Sequence, residues 1–337
     1  MKTSPLFERA KKNIQEFVTL AIGHQPDQPA LLVFDEQSPL AKLLAEAYRL
    51  VLPDVKALNF DQVSPEEIFV EVNVLAPKNL VILVQSTSFR LNEFRFRIEL
   101  FNRALKVIEH PHLSRIRAEE FSSYVEALAY DPAYYRSVGP RLKQRIDRAR
   151  HIEVICDGTS LIYDTPFEEA RLNIGDYSRM KNIGGQFPIG EVFTEPKAID
   201  RVNGKINLFA FGNQDFSVYA VEEPFSALIE NGVLVDAPDA PTAFKAVLEE
   251  IRFHEEKVWL RELGFGLNKA FTRENRVSDI GAYERMCGVH LSLGAKHSIY
   301  RKPGFPKKNR FHVDVFGAVD RVEIDGEIVY RQDRYTL

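Results

Sequence analysis

Apolar residues recur at helical spacing over the first stretch of the chain. Leu6, Phe7, Ala10, Ile14, Phe17 and Val18 share one face behind Ser4-Pro5, the signature of a capping serine with proline at the first helical position. The period then changes. Ala30 to Phe34 (ALLVF) is a continuous apolar run of strand length. Ser38-Pro39 opens a second helix with Leu40, Leu43, Leu44, Ala47 and Leu50 on one side. Val55 to Phe60 reads as another strand. Ser64-Pro65-Glu66-Glu67 has capping-box spacing, so Glu67 can reach back to the Ser64 amide. Leu80 to Val84 predicts a third strand, with a helical pattern after it through Ile108. Strands alternating with helices predict an α/β fold whose N-terminal domain, residues 1–150, carries a mostly parallel sheet.

Beyond residue 150 the pattern turns to short alternating runs broken by Asp157-Gly158, Asn203-Gly204, Asn231-Gly232 and Asp325-Gly326. Such dipeptides accept the positive φ angles of tight hairpins. Ala243, Phe244, Val247, Leu248 and Ile251 predict one helix after Pro241-Thr242. Residues 151–337 are therefore expected to form a hairpin-rich α+β domain. A length of 337 residues accommodates two domains of ordinary size.

Composition narrows the function classes. Hydrophobic residues make up 45% and charged residues 27%, as in a globular chain that buries its own core. The net charge of −4 excludes a globally basic nucleic-acid binder. The longest apolar runs fall far short of the ~20 residues of a membrane span. The charged N-terminus (MKTSPLFERAKKN) does not read as a secretory leader. Two cysteines, Cys156 and Cys287, are too few for a disulfide framework and fit a reducing compartment. A cytoplasmic enzyme or binding protein, with neither nucleic acid nor membrane as partner, is the expectation. G-x-G-x-x-G and G-x-x-x-x-G-K-[ST] are both absent, which leaves a dinucleotide or P-loop reading without its phosphate cradle.

The candidate chemistry lies in the second half. In Phe311-His312-Val313-Asp314-Val315 a strand places His312 and Asp314 on one face and the apolar residues on the other. A nitrogen and a carboxylate then address the same point, an arrangement that suits a divalent metal, although a histidine bonded to a neighbouring aspartate has the same pattern. Glu191 follows a Pro/Gly approach, and Glu262 precedes a glycine-punctuated apolar stretch. With His290 these make five plausible ligands, each of which, taken alone, could equally be a paired or solvated residue.

The segments GEVFTEP (190–196), ELGFGLN (262–268), VHLSLG (289–294), HVD (312–314) and the closing IDGEIV hairpin (324–329) carry a resemblance to the aminopeptidase T family of metallopeptidases. It runs from about His151 to Val329. The resemblance implies two divalent ions (zinc, cobalt or manganese) held by Glu191, Glu262, His290, His312 and Asp314, hydrolysis of N-terminal peptide bonds, and a homodimer. A tyrosine that relatives carry seven residues after the first ligand histidine is His297 here, a candidate to assist catalysis. Glu284 is a candidate general base, or else the partner of Arg285 or Arg261. Cys287 reads as a small buried filler rather than a ligand. The run 301–310 has five cations that can grip an anionic group or simply face solvent, and His254-Glu255-Glu256 reads as an exposed helix end.

Two other functions fit the residues. A mononuclear non-haem iron ring-cleaving dioxygenase, similar to the dihydroxypyridine dioxygenases, would use one Fe(II) on His290, His312 and Asp314. A specialised scaffold that processes or binds one peptide is the third. The substrate is accordingly a peptide or another small molecule.

Overall fold

The computed structural model describes residues 4–25, 27–91, 94–178, 180–300 and 311–337. The chain forms two compact units. The first comprises Met1–Arg136, Asn173–Ile189 and Val277–Ala282, and the second Ser137–Leu172, Gly190–Arg276 and Tyr283–Leu337. This differs from a single cut at residue 150. Two short segments of the second half return to the first unit, and most of the helix Pro132–Arg148 goes with the second.

The first unit is built on a five-stranded sheet ordered Lys56–Asn59, Ala30–Phe34, Leu80–Val84, Lys106–His110, Gly184–Gln186. Every pairing is parallel. Parallel strands need crossovers that place helices on the sheet faces, which is why the central runs ALLVF and LVILV are buried throughout. Leu31, Val33, Val81, Leu83 and Val107 pack with Ile68, Val72, Phe96 and Leu100 of the helices Pro65–Asn73 and Phe96–Asn102. Ser4, Ser38 and Ser64 cap their helices as the sequence predicts, and the Ser64–Glu67 box closes in both directions at 2.8 and 3.2 Å. The helical pattern does not extend to Ile108, because Lys106–His110 is a strand that pairs with Leu80–Val84.

The second unit is a large antiparallel sheet. Three of the four proposed turns are two-residue hairpins with both central residues at positive φ: Asp157-Gly158 (40° and 74°), Asn231-Gly232 (50° and 73°) and Asp325-Gly326 (49° and 82°). Asn203-Gly204 is not a turn. It lies inside the strand Val202–Gly212, where Gly204 sits between Leu161 and Ile229 of the flanking strands. A Cβ there would lie 2.1 Å from the Ser160 carbonyl oxygen, so the glycine serves close backbone approach. The helix Thr242–Glu255 buries Phe244, Val247, Leu248 and Ile251. Among the described residues no helix is long and apolar enough to cross a membrane.

Candidate metal centre

Four neighbouring strands of the second unit supply the site. Glu191–Thr194, Leu260–Gly266, Gly288–Gly294 and His312–Gly317 lie side by side in that order. The antiparallel register sets Glu191 opposite Gly266, Gly264 opposite His290, Ser292 opposite Asp314 and Gly294 opposite His312. Side chains alternate along a strand, so all five proposed ligands address one face. At the bulge between Leu260 and Leu263, the Glu262 amide donates to Ser292 Oγ at 3.1 Å, which holds that residue in line.

Glu191, Glu262 and His290 form the group that can hold a metal ion: one ligand atom from each, all within 4.8 Å of one another. His290 Nε2 lies 3.2 Å from Glu191 Oε1 and 3.3 Å from Glu262 Oε1. All three residues are buried. The His290 ring reaches the glutamates by lying over Gly264, where a Cβ would stand 2.0 Å from Nε2. The glycine of ELGFG is thus the floor of the site. It is a residue that the sequence reading passed over, although two glycines at i and i+2 in a strand mark a bare face.

His312 Nε2 is 3.2 Å from Asp314 Oδ1. That pair sits on the outermost of the four strands, with the His312 side chain 36% exposed. Among the described residues, His290, His312 and Asp314 do not form a group as tight as the two glutamates with His290.

Arg285 is the residue that sequence reasoning did not place in the site. Its side chain is 6% exposed, and Nη1 lies 3.0 Å from Glu191 Oε2 and in contact with Glu284 Oε1. Glu284 therefore has Arg285 as its partner. His297 lies beside the site: its amide donates to buried Glu195 at 2.6 Å, and its ring centroid is 6.2 Å from that of His312. Glu195, within the GEVFTEP segment, was likewise unassigned; it secures the backbone that carries His297. Cys287 is buried, with Sγ 3.4 Å from the Asp333 carbonyl oxygen. His254 closes a helix and is exposed. The basic run 301–310 lies outside the described residues.

Charge governs the protonation of this cluster. Burial disfavours a charged His290, but the hydrogen bonds and charges of Glu191 and Glu262 outweigh it and raise its pKa to about 10. His312 is raised to about 10 in the same way, by Asp314 against burial. For Glu191 burial acts upward, yet Arg285 and His290 hold its carboxyl below the usual range. Glu284 goes the other way: burial, with the charges of Glu191 and Asp314, lifts it to about 8 despite Arg285.

The donors fit a divalent ion. Two buried carboxylates and an imidazole nitrogen converge without hydrocarbon between them, and that proton-bridged arrangement is one a cation can replace. Asp314 is buried beside the cluster with its Oδ1 3.2 Å from His312 Nε2.

No family model and no curated protein matches the chain. Solved structures share its fold, two of them over nearly the whole chain. The 2,5-dihydroxypyridine dioxygenase of Pseudomonas putida KT2440 superposes with a TM-score of 0.66 at 12% identity, over 98% of this chain and 97% of that one. AmpT (aminopeptidase T) of Thermus thermophilus superposes with a TM-score of 0.54 at 16% identity, over 98% and 99%. Both likenesses run the length of the chain, so the N-terminal unit belongs to the shared fold as much as the unit with the candidate metal centre does.

Proposed function

We propose that this protein is a metal-dependent aminopeptidase. The observation that carries the reading is the convergence of two buried glutamates on His290. Oxygen donors with one imidazole suit zinc, cobalt or manganese. Glu191, Glu262 and His290 hold the ion, with His312 and Asp314 as the neighbouring donors that a pair of ions would also engage. A divalent ion in such a place lowers the pKa of a bound water and polarises a carbonyl. Glu284 is the proton acceptor: its raised pKa suits a group that takes a proton from the attacking water and passes it to the leaving amine near neutrality. Arg285 fixes the orientation of that carboxylate. A substrate with a free amino terminus is what the resemblance to the aminopeptidase T family implies for such a site. His297, beside His312, is placed to hydrogen-bond the substrate.

The second reading is a mononuclear iron ring-cleaving dioxygenase on His290, His312 and Asp314. It draws on the fold shared with the dioxygenase, and the looser arrangement of those three side chains speaks against it. One experiment separates the two. Dipeptides and aminoacyl amides are assayed without oxygen in the presence of zinc, cobalt or manganese, and dihydroxylated aromatic rings with an oxygen electrode. The expected outcome is anaerobic hydrolysis that releases the N-terminal residue and stops on chelation. Oxygen uptake with iron, and no peptide cleavage, would reverse the assignment.

A further inference from the structure

Arg285 does not behave as a surface arginine that has folded inward. Its backbone is pinned: the Asn268 amide donates to the Arg285 carbonyl at 2.9 Å, and a Cβ on Gly266 would lie 2.7 Å from that carbonyl and 1.8 Å from the Met286 oxygen. Gly266 thus allows the chain to bring Arg285 against the strand that carries Glu262. The guanidinium then meets Glu191 Oε2 at 3.0 Å and Glu284 Oε1. A guanidinium cannot give up its charge at any ordinary pH. It is a permanent cation inside a cluster of carboxylates.

That placement bears on how many ions the site takes. Two ions that act together stand roughly 3.5–4 Å apart and draw on carboxylates from both sides. Glu191 has Oε1 turned to His290 and Oε2 to Arg285, so one of its oxygens is already committed to a cation. Glu284 is committed to the same guanidinium. A second ion is left with Asp314, which pairs with His312, and with His312 itself at the more exposed edge.

We infer that Arg285 stands in the place of a second cation, so that the site takes one divalent ion rather than the pair that the five-donor set would otherwise accommodate. The inference rests on the metal-dependent reading above and concerns its stoichiometry. One tightly held ion on Glu191 Oε1, Glu262 and His290, with Arg285 neutralising the other side of Glu191, gives a site that needs no second metal to keep its carboxylates together.

The test counts ions. Chelator-stripped protein is titrated with zinc and, separately, with manganese by calorimetry, and metal content is measured after dialysis. The expected result is about one tight ion per chain. Arg285→Ala is expected to admit a second ion, and Arg285→Lys, which keeps the cation, to stay at one. Circular dichroism verifies that each variant is folded, and the wild-type count decides even if Arg285→Ala does not fold. Two ions of similar affinity in the wild type, or an unchanged count in folded Arg285→Ala, would overturn the inference and leave the hydrolase reading standing. Failure of every form to bind metal would remove the metal-dependent reading and this inference with it.

Discussion

Asp314 faces the cluster with Oδ1 3.2 Å from His312 Nε2. A buried carboxylate costs stability unless a cation meets it, here the His312 ring, which a neighbouring metal ion would join. Asp314→Ala is therefore expected to lower activity and to weaken metal binding by the ~10–100-fold typical of residues that support a ligand set, with the fold intact. Metal content and turnover measured on the same preparation check this, and full activity with unchanged metal would refute the assigned role. The H-x-D alternation made His312 and Asp314 legible, because strand period alone sets which residues share a face. Arg285 was not legible in the same way. Nothing in Tyr283-Glu284-Arg285-Met286 distinguishes a buried guanidinium from an exposed one, and only the backbone tie to Asn268 brings it in.

The elements were legible where one period holds. The serine-proline helix starts and three hairpin dipeptides are where local chemistry puts them. The failures have physical causes. Asn203-Gly204 has turn chemistry, but two flanking strands use the missing Cβ for close approach instead. Lys106–His110 continues an apolar pattern that suits a helix, yet the tertiary pairing with Leu80–Val84 decides in favour of a strand. Gly264 belongs at this scale too, since a strand without a side chain there is what lets the neighbouring strand lay its histidine flat. Gly264→Ala would drive the His290 ring away from the glutamates. The expected effects are a drop in metal affinity of at least ~10-fold and a loss of about 1–3 kcal/mol of stability from overpacking. Calorimetry and thermal unfolding read the two separately, and an unaltered metal affinity would show that the ring has room to move.

For the molecule as a whole, the chain passes back and forth between its two units instead of finishing one before it starts the next. Residues 173–189 and 277–282 are part of the first. Gly184–Gln186 adds the last strand to the parallel sheet, Ser278 binds Glu120 and Asp279 binds Arg115. A composition shift near residue 150 is real in the sequence, but such returns leave no local mark, since their partners lie far away along the chain. A fragment of residues 151–337 is accordingly expected to be insoluble or poorly folded, despite holding every proposed ligand. Expression of that fragment beside the full chain, with far-ultraviolet dichroism and metal binding as readouts, checks this. A soluble fragment that binds metal like the full chain would mean that the returning segments are dispensable.

The register that lines up Glu191, Gly264, His290, Asp314 and His312 also acts as a ruler for heritable change. Substitutions alter one rung of a ladder, whereas the gain or loss of a single residue within any of the four strands turns every later side chain to the opposite face. The turns at Asp157-Gly158, Asn231-Gly232 and Asp325-Gly326 lie outside those four strands. Length variation among descendants of this chain should therefore collect in its connections, and the strands that carry the donors should drift in letter while keeping their count.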